Sequence, residues 1–145
     1  MAGTRTFFII KPDAVSNGYI GPILSKINAN RFHIAALKLI RLDRHHAEHF
    51  YAIHRGKPFY DNLVKYMTSG PVVVGILEKE NAVADYRRLM GTTDPAKAEE
   101  GTIRKLFAEN IERNAVHGSD SDENAVIECD FFFAVSDRYS KFGES

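Results

Sequence analysis

Residues 114–121 read Asn-Ala-Val-His-Gly-Ser-Asp-Ser, and the histidine of that run, His117, lies between an apolar pair and a turn of small residues. A neutral imidazole attacks phosphorus well, and with an ordinary pKa of about 6.5 most of it is already deprotonated near neutrality. It needs no activating base. The turn Gly118-Ser119-Asp120-Ser121 could offer backbone N–H groups to phosphate oxygens where a helix begins, with Ser121 as its N-cap. The chain has neither a Gly-x-x-x-x-Gly-Lys-Ser/Thr loop nor Gly-x-Gly-x-x-Gly, so nucleotide chemistry would need another route, and a histidine nucleophile is one. Taken alone, His-Gly-Ser reads more readily as a core histidine before an ordinary helix cap.

The elements that would position these residues follow from periodicity. Residues 5–10 read as a strand that Pro12 ends, leaving Lys11 at the strand end. Ile20, Ile23, Leu24 and Ile27 mark one face of a helix over 19–30, and residues 34–42 read as a second strand. Asp43 is an expected N-cap, and the spacing Ala47, Phe50, Tyr51, His54 puts Tyr51 on the inner face of the helix that follows. Pro58, suited to a first turn, opens a helix over 59–67 with Phe59 at its entrance. The apolar run 71–77 reads as a buried central strand, and a helix over 81–90 stops at Gly91. Residues 91–101 form a long loop of the kind that often carries function, lying between Arg87 and Arg104. Thr102 caps a short helix through Phe107 and Asn110, residues 114–117 form the last strand, and 121–128 form a helix. The piece from Asp130 to Val135, with three successive phenylalanines, fits a helix end or a strand.

This order predicts one α/β domain over residues 1–145. It is an α+β two-layer sandwich of ferredoxin-like type, with helices on one face of a four-stranded, mostly antiparallel sheet. At 145 residues and 44% hydrophobic content a real core is expected. No run approaches the roughly 20 apolar residues a membrane span needs, and no signal-peptide core opens the chain, so the expectation is a cytoplasmic protein without a membrane partner. Nineteen basic against nineteen acidic side chains give no footprint for nucleic acid. The single cysteine, Cys129, has no intrachain partner and reads as a packing residue.

The chain resembles the nucleoside diphosphate kinase family over nearly its whole length. The resemblance is carried by Ile10-Lys11-Pro12-Asp13, Ala36-Leu37-Lys38-Leu39, Pro58-Phe59, Val64-Lys65-Tyr66-Met67, Ser69-Gly70-Pro71-Val72, Arg87 and Met90-Gly91. It continues through Thr93-Asp94-Pro95, Gly101-Thr102-Ile103-Arg104 and Asn114 to Asp120. It implies transfer of the γ-phosphate of a nucleoside triphosphate to a nucleoside diphosphate through a pros-phosphohistidine, here at His117, with little base or sugar preference, maintaining nucleoside triphosphate pools. It further implies that Ser119 and Glu128 position the imidazole. Arg87, Thr93 and Arg104 would bind phosphates, Lys11 and Asn114 ribose hydroxyls and phosphate, and Tyr51 would stand near the transferred group. Phe59 would stack on the base, with Ile111 on the base's other face. Mg²⁺ is expected to arrive on the substrate phosphates, with no ligand from protein side chains. Homo-oligomers built from dimers, tetramers or hexamers, are implied as well, with Pro95 in a loop that supports assembly. The end at Ser145 resembles the shorter bacterial members.

The residue types suit these roles on physical grounds. Phosphoryl transfer chiefly requires in-line positioning and positive charge around the equatorial oxygens, which two guanidinium forks supply. A covalent intermediate lets one site serve both substrates in turn, and stacking on Phe59 ignores base identity because every base has a π-face. Taken singly, the same residues have duller readings: solvated arginines, core aromatics, a strand-end lysine, a turn threonine, an exposed helical glutamate. His45, His46 and His49 lack a His-Glu-x-x-His arrangement and read as a solvated helix face without zinc, as do His33 and His54. Glu112, beside Ile111, could bring a carboxylate near the base and disfavour some nucleotides. Two other classes remain at this point: a nucleotide-binding regulatory module with weak catalysis, and a hydrolase using Ser119 or Ser121 with His117 and Asp120, for which no Gly-x-Ser-x-Gly elbow is present.

Overall fold

The computed structural model of the protein describes residues 3–142. Strands β1 (Arg5–Ile10), β2 (His33–Ile40), β3 (Val72–Glu78) and β4 (Val116–Gly118) form one sheet in the order β2-β3-β1-β4, with every neighbouring pair antiparallel. Seven α-helices connect and cover them: α1 (Pro12–Ser16), α2 (Ile20–Ala29), α3 (Arg44–Phe50), α4 (Tyr60–Met67), α5 (Ala82–Met90), α6 (Ile103–Phe107) and α7 (Asp122–Phe132). This is the ferredoxin-like arrangement.

The helices cover both faces of the sheet, where the sequence reading placed them on one. Strand alternation shows why. In β1, Phe7 and Ile9 point into a core built with Ala47, Val64 and Cys129 of α3, α4 and α7. Phe8 and Ile10 point the other way, into a second core with Ala14, Ile23, Tyr86 and Ile103 of α1, α2, α5 and α6. A one-face arrangement would leave Phe8, Ile10, Val73 and Leu77 in water, at about 1.5–3 kcal/mol for each large side chain. β3 is buried along its entire length, as its unbroken apolar run requires. Gly75 in its middle leaves room for the Phe8 ring, since a Cβ there would stand 2.4 Å from that ring and 2.8 Å from the Ala36 carbonyl.

The caps fall where the short-range chemistry put them. Asp43 accepts from His46 N–H, Thr102 from Lys105 N–H and Ser121 from Asn124 N–H, and Gly91 ends α5 at φ +84°. Several boundaries differ. β2 spans His33–Ile40 where 34–42 is expected, and α3 ends at Phe50 with a separate 3₁₀ turn at Ala52–His54. β4 spans Val116–Gly118 where 114–117 is expected, because the positive φ of Ala115 breaks the extended chain before it. Pro12 begins the short helix α1 as well as ending β1, because its fixed φ suits a first helical position. Pro58 precedes the N-cap Phe59 of α4. α6 stops at Phe107 because the Asn110 side chain takes the N–H groups of Glu112 and Arg113 and folds the following residues into a loop. Of the alternatives for 130–135, helix wins through Phe132. There the Lys38 ammonium and Arg138 guanidinium donate to the carbonyls of Phe132 and Phe133, satisfying the helix end. The chain then crosses the outer edge of β2, with Tyr139 N–H on the Ala35 carbonyl; residues 143–145 lie outside the described part. Among the described residues, no helix is long and apolar enough to cross a membrane.

Candidate functional site

β4 pairs His117 with Ile9 of β1, which turns the imidazole toward the face covered by α7. Phe7 and Phe50 wall the ring edge-on, at centroid distances of 6.0 and 5.8 Å. A chain of hydrogen bonds fixes its protons. Phe7 N–H donates to Ser119 Oγ at 3.1 Å, so the single serine hydrogen is free to go to Glu128 Oε1, 2.8 Å away. The same carboxylate oxygen lies 3.0 Å from His117 Nε2. A carboxylate oxygen can only accept, so Nε2 carries a hydrogen, and in the neutral ring the Nδ1 lone pair is left free.

Immediately before this strand the backbone is strained. Ala115 has φ +75°, and Val116 N–H closes onto the Asn114 carbonyl at 2.9 Å, a γ-turn of the rare type that costs on the order of 1–3 kcal/mol. Arg104, from α6, holds the turn from both sides: Nε donates to the Asn114 carbonyl at 3.2 Å and a terminal nitrogen to the Val116 carbonyl at 2.8 Å. Its other terminal nitrogen reaches the Gly91 carbonyl at 3.1 Å. Lys11 N–H takes the Ala115 carbonyl, and Lys11 Nζ donates to Asn114 Oδ1 at 2.8 Å. Burial, with the Arg104 charge added, pulls the Lys11 ammonium down to about 8. An anion arriving beside Lys11 would reverse that penalty.

Arg87, Thr93 and Arg104 line one cleft of about 550 Å³ with Thr92 and Thr102. Arg87 and Thr93 are exposed, so α5 and the loop after it present a guanidinium and a hydroxyl to solvent beside the clamped Arg104. On the other side, Tyr51 is buried with a hydroxyl that has no hydrogen-bond partner among the described residues. Burial and the nearby Glu128 charge push its phenol well above the usual range, so it stays neutral. A ladder of rings connects Phe59 to His54 at 5.2 Å, His54 to Tyr51 at 6.3 Å, Tyr51 to Phe50 at 5.0 Å and Phe50 to His117. Phe59 is 47% exposed; Ile111, 54% exposed, stands on a separate lip beside Asp94 and Pro95.

The structure thus joins His117, Ser119 and Glu128 in one hydrogen-bonded group and Lys11, Asn114 and Arg104 in another, with Arg104 on the backbone next to the histidine. Two histidine readings change. His54 is wedged between Tyr51 and Phe59 with a buried Nδ1, and burial together with Lys57 holds its pKa below the ordinary value. His33 lies on β2 and donates to the Tyr139 carbonyl at 2.7 Å. His45, His46 and His49 are exposed on α3, where His46 pairs with Asp43 and His49 stacks on Phe131. Among the described residues, no group of three His, Cys, Asp or Glu is placed to hold a metal. The serine-hydrolase arrangement is absent from the site. Ser119 is buried against Glu128, Ser121 caps α7, and Asp120 accepts from Asn124. Sequence reasoning missed the γ-turn and its arginine clamp, because alanine at 115 carries no sign of a positive φ.

The family model described as nucleoside diphosphate kinase matches residues 4–137. The nucleoside diphosphate kinase of Lawsonia intracellularis is 55% identical over 134 residues, 92% of this chain and 97% of that protein. That of Thiobacillus denitrificans is 53% identical over 140 residues, 97% of this chain and 99% of that protein. The crystal structure of the Aquifex aeolicus nucleoside diphosphate kinase superposes with a TM-score of 0.91 at 40% identity, covering 93% of this chain and 98% of that one. The halophilic nucleoside diphosphate kinase from Halobacterium salinarum in complex with CDP gives 0.89 at 36% identity, covering 94% and 91%. With its ferredoxin-like sheet and its histidine presented on β4, the chain belongs to the nucleoside diphosphate kinase family and is a phosphotransferase that moves phosphate between nucleotides.

Proposed function

We propose that the transfer runs by a ping-pong route through His117. The Nδ1 lone pair attacks the γ-phosphorus of a nucleoside triphosphate, the P–O bond to the β-phosphate breaks, and the diphosphate leaves with the electron pair. A β-phosphate oxygen of an incoming nucleoside diphosphate then attacks the phosphorus, and the P–N bond breaks back onto Nδ1. The observation that carries this reading is the Glu128 contact at Nε2, which holds the hydrogen there and leaves Nδ1, the pros nitrogen, as the nucleophile. Ser119, oriented by Phe7 N–H, fixes the carboxylate.

Arg87, Thr93 and Arg104 bind the phosphates, and their shared cleft supports that assignment. Lys11 and Asn114 hold ribose hydroxyls and phosphate. The unpartnered Tyr51 hydroxyl donates toward the transferred group. The base stacks between Phe59 and Ile111, which gives broad base tolerance. Arg87, Thr93 and Arg104 supply neutral or positive donors in a cleft that Glu99 and Glu100 also line, and Mg²⁺ would arrive as part of the nucleotide substrate, where it would offset phosphate charge. A CDP complex of the Halobacterium relative supports a diphosphate as acceptor. The work of the enzyme is the upkeep of nucleoside triphosphate pools in the cytoplasm, as a homo-oligomeric tetramer or hexamer, with nucleotides as partners and neither nucleic acid nor membrane.

Incubation with γ-labelled ATP and Mg²⁺, followed by a GDP chase, tests the route. An acid-labile, base-stable phosphoprotein that vanishes as labelled GTP appears, and that His117→Ala cannot form, is expected. Labelled GTP made by the His117→Ala protein at the parent rate would overturn it.

A further inference from the structure

The backbone of the loop from Glu109 to Arg113 is fixed by its own hydrogen bonds. Glu109 N–H closes onto the Arg113 carbonyl at 2.9 Å, and Asn110 Oδ1 accepts from both Glu112 N–H and Arg113 N–H, at 3.0 and 2.8 Å. The neighbouring charges in the loop are engaged: Glu109 accepts from Asn17, and Arg113 lies over the Tyr66 ring. The Glu112 carboxylate is exposed and has no hydrogen bond or ion pair with any described residue. Ile111 and Glu112 share a lip with Asp94 and Pro95, and Asp94 directly follows Thr93 of the phosphate cleft. The carboxylate therefore stands at the rim next to the apolar side chain assigned to one face of the base.

We propose that Glu112 reads the edge of the bound base, accepting hydrogen bonds from exocyclic amino groups and ranking guanine first, adenine and cytosine next, and uracil and thymine last. The ranking follows from edge chemistry. Guanine offers N1–H and N2–H side by side, a match for the two oxygens of a carboxylate. Adenine and cytosine each offer one amino group. Uracil and thymine offer a single N3–H between two carbonyl oxygens, which repel a carboxylate. Because the contact is exposed, its effect is a modest bias on a site that stacking leaves tolerant. The inference rests on the proposed seating of the base between Phe59 and Ile111.

The test is a chase of the labelled phosphoenzyme with GDP, ADP, CDP, UDP and TDP at low concentration, which reads kcat/KM for each acceptor. The parent should prefer GDP over UDP and TDP. Glu112→Ala should remove that preference, with a roughly three- to tenfold loss for GDP and little change for UDP or TDP. Glu112→Gln, which keeps the shape and adds a donor for carbonyl edges, should shift the ratio toward UDP and TDP. Phe59→Ala serves as the control for the platform and should weaken all five. Unchanged ratios in Glu112→Ala, or an equal loss for all acceptors, with Phe59→Ala weakening all five, would overturn the role of Glu112 alone. No effect of Phe59→Ala would overturn the seating of the base and this inference with it.

Discussion

The histidine side of the site and its nucleotide side are built differently. Around His117 nearly every polar atom is already spoken for: Phe7 N–H, Ser119, Glu128 and Nε2 form one chain, and Lys11, Asn114 and Arg104 form another. The side proposed to take the nucleotide presents exposed or unpartnered groups, Arg87, Thr93, Phe59, Ile111 and the Tyr51 hydroxyl. A nucleophile that must hold one tautomer and one aim gains from being set before the substrate arrives. Groups that must accept different nucleotides in turn gain from being left open. Arg104 belongs to both sides, since it clamps the γ-turn carbonyls while lining the cleft proposed for the phosphates.

The sharpest way to break the contrast is to untie the histidine. Glu128→Ala should lower kcat on the order of 10²-fold with a small change in KM, because the ring loses its aim and its fixed tautomer. The Nε2–H signal in the imidazole NMR spectrum should exchange faster or shift to Nδ1. An equal rise in KM with kcat intact would place Glu128 on the substrate side instead.

The second test uses Lys11, where the two sides meet. In the free enzyme its ammonium titrates at about 8, so kcat/KM should fall as pH rises through that value and the positive charge is lost. A phosphate bound beside Lys11 would favour the charged form, so kcat should hold its plateau to higher pH. A decline of both at the same pH would show that the nucleotide does not contact Lys11.

The smallest expected effect sharpens the picture of a strained but held turn. Ala115→Gly should stabilise the fold by about 1 kcal/mol, the released strain exceeding the extra chain entropy of glycine. That is a rise of roughly 2–4 °C in Tm, with kcat unchanged because Arg104 still holds the turn. A lower Tm would mean that the strain released is smaller than the loss of the buried Ala115 methyl together with the added chain entropy.

The helices and strands were legible because their signals are local. Alternation in Arg5–Ile10, the apolar run in β3, and the caps at Asp43, Thr102 and Ser121 all act within a few residues. Parity is written in the sequence too: Phe8 and Ile10 alternate with Phe7 and Ile9, and Val73 and Leu77 with Val72, Val74 and Ile76, which requires helices on both faces of the sheet. Local signals failed at Asn110, where a side chain competed with the helix for backbone donors, and at Ala115, whose positive φ is imposed by neighbours distant in the chain. His54 looked like a solvated helix residue because nothing nearby in sequence announces Phe59 and Tyr51 closing around it.

By itself the sequence determined the four strands, most of the helices between them, the ferredoxin-like sheet and the family, since periodicity, capping and the run Asn-Ala-Val-His-Gly-Ser-Asp are written within short stretches of chain. Tertiary structure alone decided which nitrogen of His117 is free, how the γ-turn is held and which polar groups remain open to a nucleotide. Those outcomes rest on contacts such as Phe7 with Ser119 and Lys11 with Asn114, which lie 112 and 103 residues apart. A hydrogen bond at that separation exists only once the sheet has brought β1 beside β4 and the core has excluded the water that would otherwise satisfy both groups.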